Sequence, residues 1–104
     1  MTERFAIVNI KSTEQVINLH ICSMGTMDAA PISPREAMKA AILSNAAAFI
    51  GIHNHPSGCP TPSAEDKVVT NRLVKCGDII GIEVIDHIII GDGLYFSFKE
   101  NMII

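Results

Sequence analysis

Apolar residues occur along this chain in short runs of strand length that are separated by polar turns. Residues 5–10 and 16–22 form two such runs, joined by the turn-prone residues 11–15. Their length and short connection predict two strands in an antiparallel hairpin. Residues 24–32 contain glycine, aspartate and proline and are predicted to form a loop.

Two segments have the residue order of a helix N-terminus. Ser-Pro-Arg-Glu at residues 33–36 supplies an N-cap serine, a first-turn proline and the glutamate of a capping box. This order predicts a helix that begins at Ser33 and stops at Asn45, because asparagine tolerates the left-handed conformation. Ser-Ala-Glu-Asp at residues 63–66 predicts a second helix start, and Gly77 is the predicted stop of that helix.

The remaining apolar runs complete the predicted fold. Residues 46–52 are apolar without alternation, which is typical of a central strand covered on both faces. Further strands are predicted at 81–85, 87–90 and 95–98. The order β-β-α-β-α-β-β-β predicts an α/β (α+β) fold, a mixed β-sheet packed with helices, in a single domain over residues 1–104.

Composition narrows the class of partner. Of the 104 residues, 48% are hydrophobic and 18% are charged, which favours a packed globular core over disorder. The net charge is -3 and the eight Lys and Arg residues are scattered, so binding to nucleic acid is disfavoured. No run approaches the roughly 20 apolar residues of a membrane helix, and the N-terminal sequence does not resemble a signal peptide. We therefore expect no membrane association.

Cysteine usage indicates the compartment. Cys22, Cys59 and Cys76 are odd in number and lack Cys-x-x-Cys spacing. Neither a disulfide framework nor a cysteine zinc site is therefore indicated. The sequence predicts reduced thiols in the cytoplasm.

The candidate chemistry lies where the central strand ends, in the sequence His-Asn-His-Pro-Ser-Gly at residues 53–58. Side chains alternate along a strand, so His53 and His55 are expected on one face with Cα atoms roughly 6.5–7 Å apart. Two imidazoles at that spacing can bind one zinc ion, but a catalytic zinc site needs a third protein ligand. The histidine pair alone also fits an ordinary strand end, so both interpretations stay open at this point.

Asp66 is the best candidate for the third ligand. The short loop at residues 56–62 can return the chain so that the first turn of the second helix faces the strand end. Ser63 and Asp66 also fit the N-cap and N3 positions of a capping box, which needs no metal. The two interpretations are compatible, because a fixed helix start also supports a pre-organised ligand.

These residues together resemble a known family. The pattern His53-x-His55-x7-Ser63-x2-Asp66 resembles the metal motif of the JAMM, or MPN-plus, metallopeptidases. The fuller string is similar to the RadC branch of that superfamily, and the similarity extends through residues 25–26, 34–36, 45–47, 62–63 and 86–88. The resemblance implies a JAB/MPN-like, three-layer architecture related to that of cytidine deaminases. It also implies Zn²⁺ held by His53, His55 and Asp66, with Ser63 near the reacting water or oxyanion.

Active members of the superfamily use an upstream glutamate as general base. Glu3 is the favoured candidate, because it precedes the strand that begins at Phe5, as the superfamily's glutamate does. Glu36 is the competitor, although its position as capping partner of Ser33 already explains it. Glu3 also lies close to the N-terminus, where chains fray unless they are held in a sheet.

The resemblance implies hydrolysis of an amide or isopeptide bond, with a protein or peptide as substrate. Zinc would activate a water, and Glu3 would take its proton. Two other functions remain open. One is a DNA-associated protein, since the RadC family has traditionally been linked to DNA repair. The other is a zinc-binding interaction module without turnover.

Several other polar residues are expected to lie outside the set of metal ligands. His87 matches the family pattern together with Asp86, and we expect His87 and His20 to be structural histidines. Cys59 follows the motif closely but is expected to be incidental, because the His-His-Asp set already leaves the open position that catalysis needs. Asn54 is expected on the opposite face of the strand from the histidines, holding the loop.

Overall fold

The structure is a computed structural model that describes residues 3–24 and 32–104. The predicted loop at residues 24–32 lies almost entirely outside the described residues. The described elements are β1 (Arg4–Ile10), β2 (Val16–Met24), α1 (Pro34–Leu43), β3 (Ala48–Asn54), α2 (Ala64–Ile80), β4 (Glu83–Gly91) and β5 (Leu94–Ser97).

The five strands form one mixed sheet with the order β2-β1-β3-β4-β5. β1 pairs antiparallel with β2 and with β3, and β4 pairs antiparallel with β5. The pairing of β3 with β4 is parallel, with α2 as the crossover between them. The predicted hairpin, the central position of β3 and the mixed α+β sheet are therefore confirmed.

Both helices pack on the same face of the sheet, so the described residues form one helical layer on one sheet, and the third layer that the resemblance implies is not seen among them. The buried apolar cluster joins side chains of β1, β3, α1 and α2, and it consists of Phe5, Ile7, Ala37, Met38, Ala40, Ala41, Phe49, Leu73 and Ile82. His53 lies on this face too, because it pairs with Phe5 in the register of β1 and β3. The end of β3 that carries His53 is thus covered by the start of α2. Among the described residues, neither helix has the length and apolarity needed to cross a lipid bilayer.

The predicted start and stop of α1 agree with the structure. The Ser33 hydroxyl accepts the Glu36 N–H at 3.3 Å, and Pro34 occupies the first turn. The helix ends at Leu43, and Asn45 has the left-handed φ of 56° that the stop requires. β3 then begins at Ala48, two residues later than predicted, because the Ala46 and Ala47 amides bond to Ala41 and Ile10 instead.

Two predicted boundaries were wrong. Gly77 does not end α2: it lies in the helix interior, where an added Cβ would sit 2.2 Å from the Ile82 carbonyl oxygen. The glycine is required for space, and the left-handed stop is Gly81, with a φ of 86°. α2 therefore runs one turn further, to Ile80.

The prediction of separate strands at 81–85 and 87–90 was also wrong, because β4 continues through both. The register against β3 shifts between Phe49 and Ile50, so that Val84 and Asp86 become their consecutive partners and Ile85 is the extra residue of a bulge. The Asp86 carboxylate stays in the sheet because it accepts the His87 N–H at 2.7 Å and the Lys99 N–H at 3.0 Å. The last strand ends at Ser97, one residue before its predicted end.

Candidate metal centre

His53 is held at the end of the central strand. It pairs with Phe5 of β1 on one side and with Ile89 of β4 on the other, and it is 2% exposed. His55 follows the strand, and its amide bonds to the Ile90 carbonyl at 2.8 Å. The two imidazole centroids lie 4.9 Å apart, so the expectation that they share one face agrees with the structure.

The loop after β3 orients the His55 ring. Gly58, with a φ of 89°, donates its N–H to the His55 carbonyl and closes the turn. The His55 Nδ1 then lies 2.9 Å from the Cys59 carbonyl oxygen. A carbonyl oxygen only accepts, so Nδ1 carries a proton, and in the neutral ring Nε2 then presents a lone pair. This is the tautomer that a metal ligand requires.

Asp66 faces both histidines from the first turn of α2. Its Oδ2 lies 3.2 Å from His55 Nε2, and its Oδ1 lies 3.7 Å from His53 Nδ1. A neutral His55 with its proton on Nδ1 places two acceptors against each other at the first of these contacts. A proton on Nε2 or a metal cation beside the two atoms removes that conflict, and the nitrogen and oxygen donors are of the kinds that zinc binds.

Both ring nitrogens of His53 are buried, and within the described part of the chain neither has a hydrogen bond of regular geometry. Nε2 lies 3.1 Å from Glu3 Oε1. Burial lowers the pKa of His53, against the opposing effect of the Asp66 and Glu3 carboxylates. A neutral imidazole with an available lone pair at 2% exposure is costly unless a ligand occupies it, which again fits a metal.

The capping box at the start of α2 is present in full. The Ser63 hydroxyl accepts the Asp66 N–H at 3.0 Å, and Asp66 Oδ2 accepts the Ser63 N–H at 2.8 Å. The carboxylate therefore caps the helix and faces the histidines at once, and both interpretations of the sequence hold together. The exposed Ser63 hydroxyl still has its own proton to donate.

Glu3 lies beside the histidines. Glu3, His53 and His55 can each offer one ligand atom such that the three atoms lie within 4.8 Å of one another. The chain is fixed just after Glu3, because the Arg4 N–H donates to the Asn54 side-chain oxygen and Phe5 pairs with His53. These contacts tie the start of β1 to β3, and the Asn54 side chain, which was expected to hold the loop, bonds here to β1.

Glu36 is placed differently. It occupies the first turn of α1, and its side chain is exposed. Burial of the Cys22 thiol raises its pKa to about 11, and the Glu36 carboxylate makes a smaller contribution in the same direction. In the described parts of the chain, the glutamate gathered with the two histidines is Glu3.

Two groups near the site were not expected from the sequence, the Cys59 carbonyl and Thr70, and they lie there with His87, which was expected to be a structural histidine. Thr70 donates to the Asp66 carbonyl at 2.7 Å and lies 2.6 Å from His87 Nδ1. His87 is fully buried, and burial lowers its pKa to about 4. The position of Thr70, one turn after Asp66 on the same helix face, could have identified it. A backbone carbonyl such as that of Cys59 has no sequence signature.

The other expectations can be placed as well. The Cys59 thiol donates to Thr61 Oγ1 at 3.4 Å and not to the histidines. Cys59 contributes to the site through its main-chain carbonyl, which contacts His55 Nδ1. His20 is exposed on β2 and lies outside the cluster formed by Glu3, His53 and His55. His87 is structural through Nδ1, but its buried Nε2 has no hydrogen-bond partner among the described residues.

Comparison with known proteins identifies the family to which the sequence is similar. The RadC-like JAB domain family matches residues 1–103. A "UPF0758 protein" of Clostridioides difficile is 56% identical over 102 residues, which cover 98% of this chain and 43% of the relative. A "UPF0758 protein" of Symbiobacterium thermophilum is 48% identical over 99 residues, which cover 95% of this chain and 42% of the relative. One of Methanosarcina acetivorans is 44% identical over 99 residues, which cover 95% of this chain and 43% of the relative.

The chain thus spans less than half the length of these curated relatives, at 42–43%. Their shared name states no activity. The match over 103 consecutive residues nevertheless confirms the resemblance on which the RadC assignment was based. The chain belongs to the RadC-like JAB domain family.

Proposed function

We propose that this domain is a zinc-dependent metallohydrolase that cleaves an amide or isopeptide bond in a protein or peptide. The observation that supports it most directly is the convergence of Glu3 and Asp66 on two buried or half-buried histidines whose metal-binding nitrogens face only acceptors. The cytoplasm is the proposed compartment, because Cys22, Cys59 and Cys76 are all free thiols.

His53, His55 and Asp66 would hold the ion. The N, N, O donor set, with one position left for water, is that of a hydrolytic zinc site. When bound, zinc supplies Lewis-acid chemistry and lowers the pKa of a water molecule toward about 7. The chain's own residues must then move the proton and stabilise the developing charge.

Glu3 is the proposed general base. Its carboxylate accepts one proton from the attacking water as the new carbon–oxygen bond forms. It can return that proton to the leaving nitrogen when the carbon–nitrogen bond breaks, which gives a carboxylic acid, with the second water proton on its new hydroxyl, and an amine. Ser63 can donate its free hydroxyl proton to the developing oxyanion.

Zinc binding is the first test. Purified protein should contain close to one zinc per chain by elemental analysis, and His53→Ala should lose it. His20→Ala is the matched control, because His20 is exposed on β2. Absence of zinc from the wild-type protein after loading and desalting would contradict the proposal, as would equal zinc contents in the two variants.

Glu3→Gln separates an enzyme from a binding module. It keeps the shape of the side chain but removes the base, so the variant should retain zinc and lose hydrolysis by about 100-fold or more. Glu36→Gln is the control and should keep both properties. The substrate panel consists of unmodified peptides and peptides joined through a lysine isopeptide bond. A zinc-loaded wild-type protein that cleaves none of the panel would favour the interaction module instead.

A further inference from the structure

A buried hydrogen-bond chain connects β4 to the first turns of α2. Thr70 is fully buried, and its hydroxyl donates to the Asp66 carbonyl oxygen at 2.7 Å. The same oxygen atom of Thr70 lies 2.6 Å from His87 Nδ1. The hydroxyl has a single proton, which the Asp66 carbonyl receives, so His87 must donate its Nδ1 proton to Thr70. The direction of the chain is therefore His87 to Thr70 to Asp66.

His87 is held rigidly at the origin of this chain. Its ring stacks on Phe98 with centroids 4.6 Å apart and an interplanar angle of 11°. It meets the edge of Phe5 at 5.7 Å and lies parallel to His53 within 24° at 5.9 Å. Opposite it in the register of β3 is Gly51, where an added Cβ would lie 3.1 Å from the Phe5 ring and 3.6 Å from the His87 ring.

A threonine that bonds to the carbonyl four residues earlier is common in helices and by itself indicates no special role. Here the hydroxyl is also fixed from the sheet side by a histidine that is 0% exposed. Because the acceptor is the carbonyl of Asp66 itself, the chain restrains the backbone from which the carboxylate projects toward His53 and His55.

We propose that Thr70 and His87 are positioning residues of the metal centre: they fix the first turn of α2 against β4 and so hold the Asp66 carboxylate opposite the two histidines. This inference rests on the proposed metal site and concerns residues outside its ligand set. Outer partners that orient ligands typically change metal affinity by about 10–100-fold when they are removed.

Two substitutions at Thr70 test the inference. Thr70→Val keeps the shape but removes the hydroxyl, whereas Thr70→Ser keeps the hydroxyl and removes a methyl group. The measurement is the zinc dissociation constant by competition with a chromophoric chelator, on the full chain and well below the Tm of each variant. The absorption spectrum of Co²⁺ bound in place of zinc gives a second readout, of ligand geometry.

Thr70→Val should weaken zinc binding by about 10–100-fold and alter the Co²⁺ spectrum, while Thr70→Ser should stay within about threefold of wild type. Both variants are expected to lose thermal stability, one through an unpaired His87 proton and the other through a small cavity. A purely structural role would make zinc affinity follow the loss of Tm in both variants.

Two results would overturn the inference alone: zinc binding by Thr70→Val within about threefold of wild type, or equal weakening in both variants. If the proposed metal site itself is wrong, the wild-type protein will bind no zinc in the same assay, which distinguishes that result from the two above. That result would remove the positioning role together with the metal site.

Discussion

His53 and His55 are two residues apart, yet different contacts determine what each ring can do. The His55 ring is oriented by the Cys59 carbonyl at 2.9 Å, which leaves Nε2 as the free nitrogen. The His53 ring is buried between Glu3 and Asp66, and neither ring nitrogen makes a hydrogen bond of regular geometry to the described residues. The tautomer is thus fixed for His55 and left for a ligand to select for His53.

Cys22 gives a test of the local electrostatics that needs no metal. Burial and the Glu36 carboxylate raise its pKa to about 11, so little thiolate is present near pH 8. We expect Cys22 to react with iodoacetamide far more slowly than an ordinary thiol of pKa about 8.5, with a rate that rises steeply as the pH approaches 11. Mass spectrometry of the Cys22 peptide after timed labelling measures the rate.

The glutamate contribution can be isolated. Glu36→Gln removes the negative charge and should increase the labelling rate of Cys22 by roughly twofold to fivefold at fixed pH. Glu83→Gln is the control, since Glu83 is an exposed glutamate at the start of β4. An unchanged rate in Glu36→Gln would mean that burial alone sets the reactivity.

At the scale of residues, the sequence was most informative for side chains that meet one another directly. His53, His55 and Asp66 were named from their spacing and Glu3 from the family resemblance, and the structure brings the four side chains together. Groups that act through another residue were missed. The partner of His55 is a main-chain carbonyl, which any residue at position 59 would supply.

At the scale of elements, α2 combines two functions in one buried stripe. Its buried residues are Asp66, Thr70, Leu73 and Gly77, which recur at helical spacing along the face toward the sheet. The first two are polar and lie at the site, whereas the last two pack in the core. The capping sequence at residues 63–66 predicted the start of this helix, but it could not show that Asp66 and Thr70 would be buried on the face toward the sheet.

Gly77→Ala is the sharpest test of this packing. Alanine is the better helix former by about 1 kcal/mol, but its Cβ would lie 2.2 Å from the Ile82 carbonyl oxygen. We expect a net destabilisation of about 1–3 kcal/mol from the forced shift of the α2–β4 connection. Urea unfolding followed by circular dichroism measures it.

Lys75→Ala on the exposed face of α2 is the matched control and should change stability by less than about 0.5 kcal/mol. A higher Tm for Gly77→Ala would show that helix propensity outweighs the contact. The sequence suggested a helix stop at Gly77 because a glycine near a helix end is most often a left-handed residue. The close approach that requires it involves the chain five residues later.

At the scale of the whole molecule, burial of two histidines links folding to pH. Burial lowers the pKa of His87 to about 4 and also lowers that of His53. An unfolded histidine titrates near pH 6.5, so the unfolded chain binds more protons at acidic pH. The contribution of His87 is fully present above pH 6.5 and is lost as the pH falls toward about 4, by on the order of 3 kcal/mol.

Zinc-free protein in the presence of a chelator should therefore have a lower urea midpoint at about pH 5 than at about pH 7.5. His87→Asn should reduce this difference, whatever its effect on absolute stability. His20→Asn should retain it, because His20 is exposed on β2. Equal pH dependence in the two variants would contradict the assignment of the effect to His87.

The whole-molecule arrangement was largely predictable because the element order and the patterns of apolar residues are local properties. Hairpin β1–β2, central β3 and the existence of α2 followed from them, whereas the strand order did not. The continuity of β4 did not, because it depends on how Asp86 is satisfied by Ser97 and Lys99, which follow it by more than ten residues. Long-range satisfaction of a polar group cannot be read from a local pattern.

The double use of the Asp66 carboxylate has a practical consequence for amide hydrogen exchange. Oδ2 protects the Ser63 amide at 2.8 Å and also faces His55 at 3.2 Å, so exchange at Ser63 reports where that oxygen lies. Lys67, whose amide bonds to the Ser63 carbonyl at 3.2 Å, provides the internal reference within the same turn. Occupancy of the centre could thus be followed at one backbone proton, without a substrate and without a substitution.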